Sequence, residues 1–400
     1  MDAHPSARLG GALELAPTLP RVAEAVPILE IGVILLGAAL VGFAARRLGL
    51  PAVVGYLIVG LVVGPFTPGY VADRHQIQVL ADVGVVLLLF EVGIELDLRA
   101  LRREPLGILA AVPAQVALVT FAGALVFVAL GSDGLGAITL GLAVGLSSSI
   151  VIVNITRSKR RTLDDASARA LLVWSVLQDV VTLVAATILT VVLSPGEAGS
   201  APIAFGKAVL FVALAATVQD WVLPRLLRGV RDEQDTFLIV AVSAALVTAG
   251  LGAAIFGVPL ALAAFISGLF LSIRVEAQEA RREVLPFRDL FAVMFFVAIG
   301  TLVDPAAIAR EPVWLVAVLA LVGVKVLASW LFAWLFRVPA RRPQLGVGLG
   351  QIGEFSFVVL GLGTSAGVVS AAQFSAALAA AAITIAASAV GVRMFPRGAP

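Results

Sequence analysis

The sequence predicts an all-α polytopic membrane protein. Thirteen transmembrane helices are expected, N-terminus out and C-terminus in, arranged as two inverted-topology repeats with crossing broken helices. Three observations carry that expectation: an apolar composition, a regular alternation of basic charge, and Gly/Pro motifs that recur in the second half of the chain.

Composition sets the class. Of 400 residues, 60% are hydrophobic and 14% are charged, against roughly 25% charged in soluble domains. Apolar runs of about 20 residues, the length that spans a bilayer, recur throughout. One soluble core could not hide that surface, so lipid and neighbouring helices must solvate it. The chain has no cysteine, which excludes disulfides, thiolate sites and iron–sulfur clusters. Its two histidines, His4 and His75, fall in polar connecting segments. Residues 1–25 read as an extramembrane lead-in: basic residues are sparse there, and Pro17 and Pro20 interrupt any signal-like apolar run.

In chain order the expected spans are 26–45, 51–64, 77–95, 106–130, 135–156, 167–193, 203–222, 236–252, 258–273, 286–302, 312–336, 344–363 and 371–391. Pro and Gly punctuate the joins, as at Leu50–Pro51, Pro195–Gly196, Val258–Pro259, Glu311–Pro312 and Arg342–Pro343. Charge tests the count. Of the 28 Lys and Arg residues, Arg8, Arg21, Arg74, Lys207 and Arg310 fall on the outer side and Lys325 inside a span; all the others are cytoplasmic. That asymmetry is what the positive-inside rule requires.

The halves also match. Gly49–Leu50–Pro51 with Gly60 corresponds to Gly257–Val258–Pro259 with Gly268. Gly93 to Asp97 corresponds to Gly300 to Asp304, and Gly141/Gly145 to Gly346/Gly350. Each match links a span to the seventh one after it. Seven is odd, so the copies face opposite ways, the arrangement of secondary transporters.

A charge inside a span costs about 2.5–3.5 kcal/mol on insertion scales and marks a functional candidate. Glu30, Asp82, Glu91, Glu95, Asp179, Asp220, Lys325 and Glu354 qualify. Asp179 follows Gln178 in the middle of span six. Its carboxyl group can hold a proton or, ionised, a small cation, and one group that binds either but not both suffices for exchange. Gln178 is expected to lend a carbonyl oxygen; a helix-packing Asp is the alternative. Ser147–Ser148–Ser149 interrupts span five after its glycines and suits a broken helix whose free backbone groups face an ion, with Ser147 and Ser148 as the expected ligands. A small-residue helix interface would look the same. Gln351–Ile352–Gly353–Glu354 is the matching break in span twelve, expected to cross span five. There Gln351 supports the core, and Glu354 compensates a helix end or serves packing alone. Lys325 lies too deep in span eleven for easy snorkelling, and Asp179 is its expected ion-pair partner. Glu95 and Asp97 close span three as a solvated helix end, Glu91 lies one turn deeper, and Asp82, Asp220 and Glu30 are interfacial.

With these residues the chain resembles the cation:proton antiporter-2 family, which includes Kef-type potassium efflux proteins and related sodium/proton exchangers. The resemblance covers residues 26–393. It rests on Leu177–Gln178–Asp179, the run from Gly350 to Phe355, Pro286–Phe287 with the run from Phe295 to Gly300, and the run from Phe90 to Leu96. It implies a homodimer in a cell inner (plasma) membrane. Residues 26–105 and 236–311 would form a dimerisation scaffold, residues 106–195 and 312–400 a mobile transport core, and residues 196–235 a linking helix. Asp179 would centre a monovalent cation site, with Lys325 at the family's core lysine. The implied activity is elevator-type exchange of Na+ or K+ for protons, with no cofactor beyond the transported ions and no nucleic-acid partner. Related exchangers often carry Asn-Asp or Asp-Asp where this chain has Gln178–Asp179; the single carboxylate points to electroneutral exchange and the Gln to the potassium-handling branch. Kef-type proteins usually continue into a cytoplasmic nucleotide-binding regulatory domain. The sequence ends at Pro400, so that regulation is expected to be absent or to lie beyond it. The competing reading is a proton-independent cation channel of the same fold. An intramembrane hydrolase is disfavoured, because Asp179 has no second catalytic Asp and no histidine lies in a span.

Overall fold

The computed structural model describes residues 19–67, 74–95, 104–157, 163–193, 201–272, 274 and 276–394, and every regular element among them is helical. The helices are α1 (Leu19–Arg47), α2 (Ala52–Val63), α3 (Arg74–Glu95), α4 (Leu106–Ala129), α5 (Gly134–Gly145), α6 (Ser149–Arg157), α7 (Asp165–Leu193), α8 (Ala201–Thr217), α9 (Leu223–Gly229), α10 (Gln234–Phe256), α11 (Leu260–Leu271), α12 (Ala277–Thr301), α13 (Pro305–Arg310), α14 (Pro312–Leu335), α15 (Arg342–Leu349), α16 (Phe355–Ser365) and α17 (Ala371–Gly391). A π-helical turn, Val218–Val222, joins α8 to α9.

Nine helices among the described residues are long and apolar enough to cross a membrane. Four of the thirteen expected spans contain shorter apolar helices instead: Ala52–Val63, Gly134–Gly145, Leu260–Leu271 and Phe355–Ser365. Two of these four are shortened by the anticipated breaks. Span five divides into α5 and α6, and span twelve into α15 and α16. Several boundaries move outward, the first at α1, which starts at Leu19 ahead of the expected 26. The helix expected over 286–302 starts at Ala277, because the polar run before Pro286 is helical too. The helix expected to end at 222 continues as α9 through the π turn. Asp97 lies outside the described residues.

The recurring Gly-X-Pro motif has a local cause. Gly49 and Gly257 take left-handed backbone angles, φ 85° and 68°, which end α1 and α10 at low steric cost. Two residues on, Pro51 and Pro259 hold extended conformations at the N-caps of α2 and α11. A second recurring feature is close backbone approach. Gly60 of α2 meets Gly300 of α12, where an added Cβ would lie 2.1 Å from the Val297 carbonyl oxygen. Gly268 of α11 meets α3 near Gly93, where an added Cβ would lie 2.0 Å from the Phe90 carbonyl oxygen. The glycines that match in sequence therefore make the same contact twice.

Around these contacts α3 packs most extensively on α12 and α11, and α2 on α12 and α1. A second group forms where α4 packs on α5, α14 and α7, and α14 on α15 and α17. Phe265 of α11 against Phe355 of α16, and Phe295 of α12 against Phe357 of α16, join the groups. Outer faces stay apolar, as with Leu36, Leu40 and Phe43 on α1 and Ile239, Val247 and Ile255 on α10. That suits a hydrocarbon surround.

Candidate ion-binding site

The two breaks meet, and their backbone groups determine the geometry. A helix end leaves carbonyls and amides without intrahelical partners, and in an apolar interior each must find another. At the end of α5, the Gly145 carbonyl accepts from Gln178 Nε2 at 3.2 Å and Gln115 Nε2 at 3.4 Å. The Leu146 carbonyl accepts from Lys325 Nζ at 2.6 Å and from the Gly353 amide at 3.1 Å. The Ser147 amide donates to Gln178 Oε1, 3.2 Å, and its hydroxyl to the Leu349 carbonyl, 2.9 Å. Gln351 grips Ser148 from both sides: its Oε1 accepts from the Ser148 amide at 2.8 Å, and its Nε2 donates to the Ser148 carbonyl at 3.2 Å. The Ser148 hydroxyl accepts from the Val151 amide and so caps α6. At the end of α15, the Gln351 carbonyl accepts from Lys325 Nζ, 2.8 Å, and the Ile352 amide donates to Thr384 Oγ1, 3.2 Å.

Several expectations change here. Lys325 is wholly buried, but its ammonium group is directed to the carbonyls just past α5 and α15 and not to Asp179. A cation between two helix C-termini balances both partial negative ends; that role replaces the expected ion pair. Gln178 spends its amide on Gly145, Ser147 and Gln115, so its carbonyl oxygen satisfies the break instead of facing an ion. Ser147 and Ser148 are likewise committed to the crossing. Gln351, expected to support the core, bonds Ser148 across the crossing.

The residue of the serine run that does reach the cavity is Ser149. A cavity of about 860 Å³ lies between the two helix groups, lined by Tyr56, Glu91, Glu95, Ser149, Asp179, Arg281 and Arg288 among others. Asp179 stands in its wall, 2% exposed, and its Oδ2 makes no hydrogen bond. The Ser149 hydroxyl donates to Glu354 Oε1 at 2.9 Å and lines the same cavity wall as Asp179. Glu354 sits at the N-cap position of α16, where negative charge is favoured.

Other intramembrane charges have structural roles. Glu91, 1% exposed, is clasped by Arg281 at 2.6 Å and Arg288 at 3.2 Å, and Arg281 also reaches Glu95 at 2.9 Å. Asp82 accepts from Gln78, and Asp220 pairs with Arg274. Glu30 is half-buried. Sequence reasoning missed Arg281 as a wall residue because the span was started at 286, which hid its seven-residue spacing from Arg288. It also missed Gln115, whose Oε1 accepts from Gln178 and Trp174; an uncharged amide inside span four was the available signal. Among the described residues, no group of three His, Cys, Asp or Glu side chains could hold a metal ion.

Residues 32–395 match the family described as sodium/hydrogen exchanger, transmembrane. The putative cation/proton antiporter YbaL of Escherichia coli K12 is 30% identical over 361 residues, covering 86% of this chain and 64% of that protein. The glutathione-regulated potassium-efflux system protein KefC of Cronobacter sakazakii is 30% identical over 357 residues, covering 88% and 57%. The chain thus spans about three fifths of the length of these relatives. The solved sodium proton antiporter MjNhaP1 of Methanocaldococcus jannaschii shares the fold, with a TM-score of 0.64 at 16% identity over 94% of this chain and 99% of that one.

Proposed function

We propose a cation/proton exchange function from one premise: this chain belongs to the sodium/hydrogen exchanger family. The observation that carries the proposal is the buried Asp179 carboxylate, with Oδ2 unpartnered, in the wall of a cavity beside two helix breaks. A carboxylate there binds a proton or a monovalent cation, not both, and alternating between them couples the two fluxes. The cation is cargo, Na+ or K+; Asp179 supplies its charge, and neighbouring oxygens replace its water. Arginines hold Glu91 and Glu95, which leaves Asp179 to carry the charge and supports electroneutral exchange.

The same reading extends to architecture. The nine long helices and four shorter ones supply the thirteen crossings, with α5/α6 and α15/α16 each making one crossing in two pieces. The N-terminus is outside, the C-terminus inside, and the two repeats are inverted. Helices α1–α3 and α10–α12 form a scaffold that dimerises, α4–α7 and α14–α17 a transport core, and α8–α9 their link. Because both groups line the cavity, moving the core against the scaffold would carry Asp179 across the membrane, an elevator. The setting is the inner (plasma) membrane of the cell.

The test is the full chain in proteoliposomes with an internal pH dye, adding Na+, K+ and Li+ in turn. Cation addition should move protons in the opposite direction, and Asp179→Asn should abolish the response while the protein stays folded. Cation flux without proton movement would make the protein a channel of this fold. Net current that reverses with an imposed potential would exclude electroneutrality, since each unbalanced charge couples at about 2.3 kcal/mol per 100 mV.

A further inference from the structure

The Ser149 hydroxyl has two carboxyl groups for neighbours but only one proton. That mismatch holds more information than either contact alone. Its O–H donates to Glu354 at 2.9 Å, and it shares the cavity wall with Asp179. Ser149 and Asp179 line the cavity, whereas Glu354 does not. Glu354 is 4% exposed and makes no capping bond to its own helix; its carboxylate is turned across the crossing toward Ser149.

We propose that Glu354 is a positioning residue that fixes the direction of the Ser149 hydroxyl, so that the Ser149 oxygen becomes the partner of Asp179 for whichever cargo is bound. This rests on the exchange function proposed above. With the hydroxyl proton held by Glu354, Asp179 meets only the lone pairs of Ser149. Two oxygens facing each other with no proton between them repel. The contact is therefore favourable in two states. In one, a protonated Asp179 donates to Ser149. In the other, an ionised Asp179 and Ser149 both coordinate a monovalent cation. These are the two loaded forms of an exchanger, and as the cation enters, the Asp179 proton leaves to cavity water. The empty, ionised form gains nothing from Ser149. If Glu354 no longer acts as a fixed acceptor, Ser149 can turn and donate to the ionised Asp179. That stabilises the empty form, and an arriving cation must then displace a hydrogen bond.

The experiment measures the apparent KM for Na+ and for K+, with the maximal rate, in proteoliposomes of the full chain. The variants are Glu354→Gln, Ser149→Ala and the pair combined. Glutamine keeps the shape but can donate to Ser149 as well as accept, so it removes the fixed polarity. Each single variant should raise the cation KM about five- to tenfold, the size of one ordinary hydrogen bond, and more than it lowers the maximal rate. The combined variant should show the same KM as Ser149→Ala, because Glu354 acts through that hydroxyl. Ser149→Thr, which keeps a hydroxyl, should fall between wild type and Ser149→Ala, and it remains informative if Glu354→Gln does not fold. A KM that rises multiplicatively in the combined variant would make Glu354 an independent ligand and overturn the proposal. So would an unchanged KM in Ser149→Ala, or a loss confined to the maximal rate. A wild-type protein that moves no protons on cation addition would defeat the exchange reading itself, which separates the two failures.

Discussion

The two helix breaks hold matching places in the two halves of the chain but solve the same backbone problem unequally. The first, over residues 146–148, pairs Leu146 with two small serines and is satisfied mostly by side chains from elsewhere: Gln178, Gln351 and Lys325 all donate to or accept from it. The second, over residues 350–354, carries the long side chains that reach out, with Gln351 on Ser148 and Glu354 on Ser149. Small residues in the first break leave room for Gly353 to lie against Ser147 and for Ser149 to face the cavity. The second break thus acts as a frame for the first, and Lys325 alone serves both carbonyl ends.

The hardest way to break this comparison is to remove the shared cation. Lys325→Met should lower detergent melting stability by about 3 kcal/mol or more, since two charge-assisted bonds of ~1.5–3 kcal/mol each are lost and only the Leu146 carbonyl keeps another donor, the Gly353 amide. Its effect should add to that of Asp179→Asn, because Lys325 is bonded to the crossing and not to Asp179. Strong non-additivity in the double-mutant cycle would restore the ion pair that the sequence suggested.

Next in size is Gln351→Leu, which strips the partner of the Ser148 amide while the Ser148 carbonyl keeps its bond from the Ile152 amide, at about 1–3 kcal/mol. Gln178→Leu should cost about as much, because it strips the partner of the Ser147 amide while the Gly145 carbonyl keeps its bond from Gln115. A loss in only one of the two variants would mean that the other amide of the first break finds a new partner. Gly353→Ala tests the close approach. Its Cβ would lie 2.5 Å from the Ser147 carbonyl group, and such overpacking costs about 1–3 kcal/mol. Gly361→Ala in the following helix meets nothing within 4 Å and should be neutral or mildly stabilising.

The smallest effect lies at the start of α7. There Asp164 accepts from the Ser167 amide at 2.7 Å and pairs with Arg341, the N-cap of α15, at 3.0 Å. Burial pushes this carboxyl group up, but the Ser167 bonds and Arg341 outweigh it and hold it below its ordinary value. A depressed carboxylate stabilises the fold above its unfolded pKa, near 4, and that contribution fades as pH falls through the folded value. Asp164→Asn should therefore cost about 0.5 kcal/mol at pH 7, given its exposure, with the difference from wild type closing below about pH 4 in thermal melts. A gap that persists at low pH would mean that shape, not charge, makes the clasp.

Much of this was legible in the primary structure because membrane insertion is a local, chemical constraint. Apolar runs, Gly49–Pro51 and Gly257–Pro259, and a lone mid-span Asp179 are costly unless they mean something, so residue type and spacing expose them. The breaks at Ser147 to Ser149 and Gln351 to Glu354 were likewise visible as polar interruptions. What spacing does not encode is direction. Three consecutive serines at a helix break point to different sides, and only folding puts Ser147 on Leu349, Ser148 on Gln351 and α6, and Ser149 in the cavity. Likewise, the sequence alone determined that Lys325 must be compensated, because an ammonium group cannot sit bare in hydrocarbon. Whether a carboxylate or two helix ends would compensate it depended on where chain segments far apart in sequence converge, which only the tertiary structure decides.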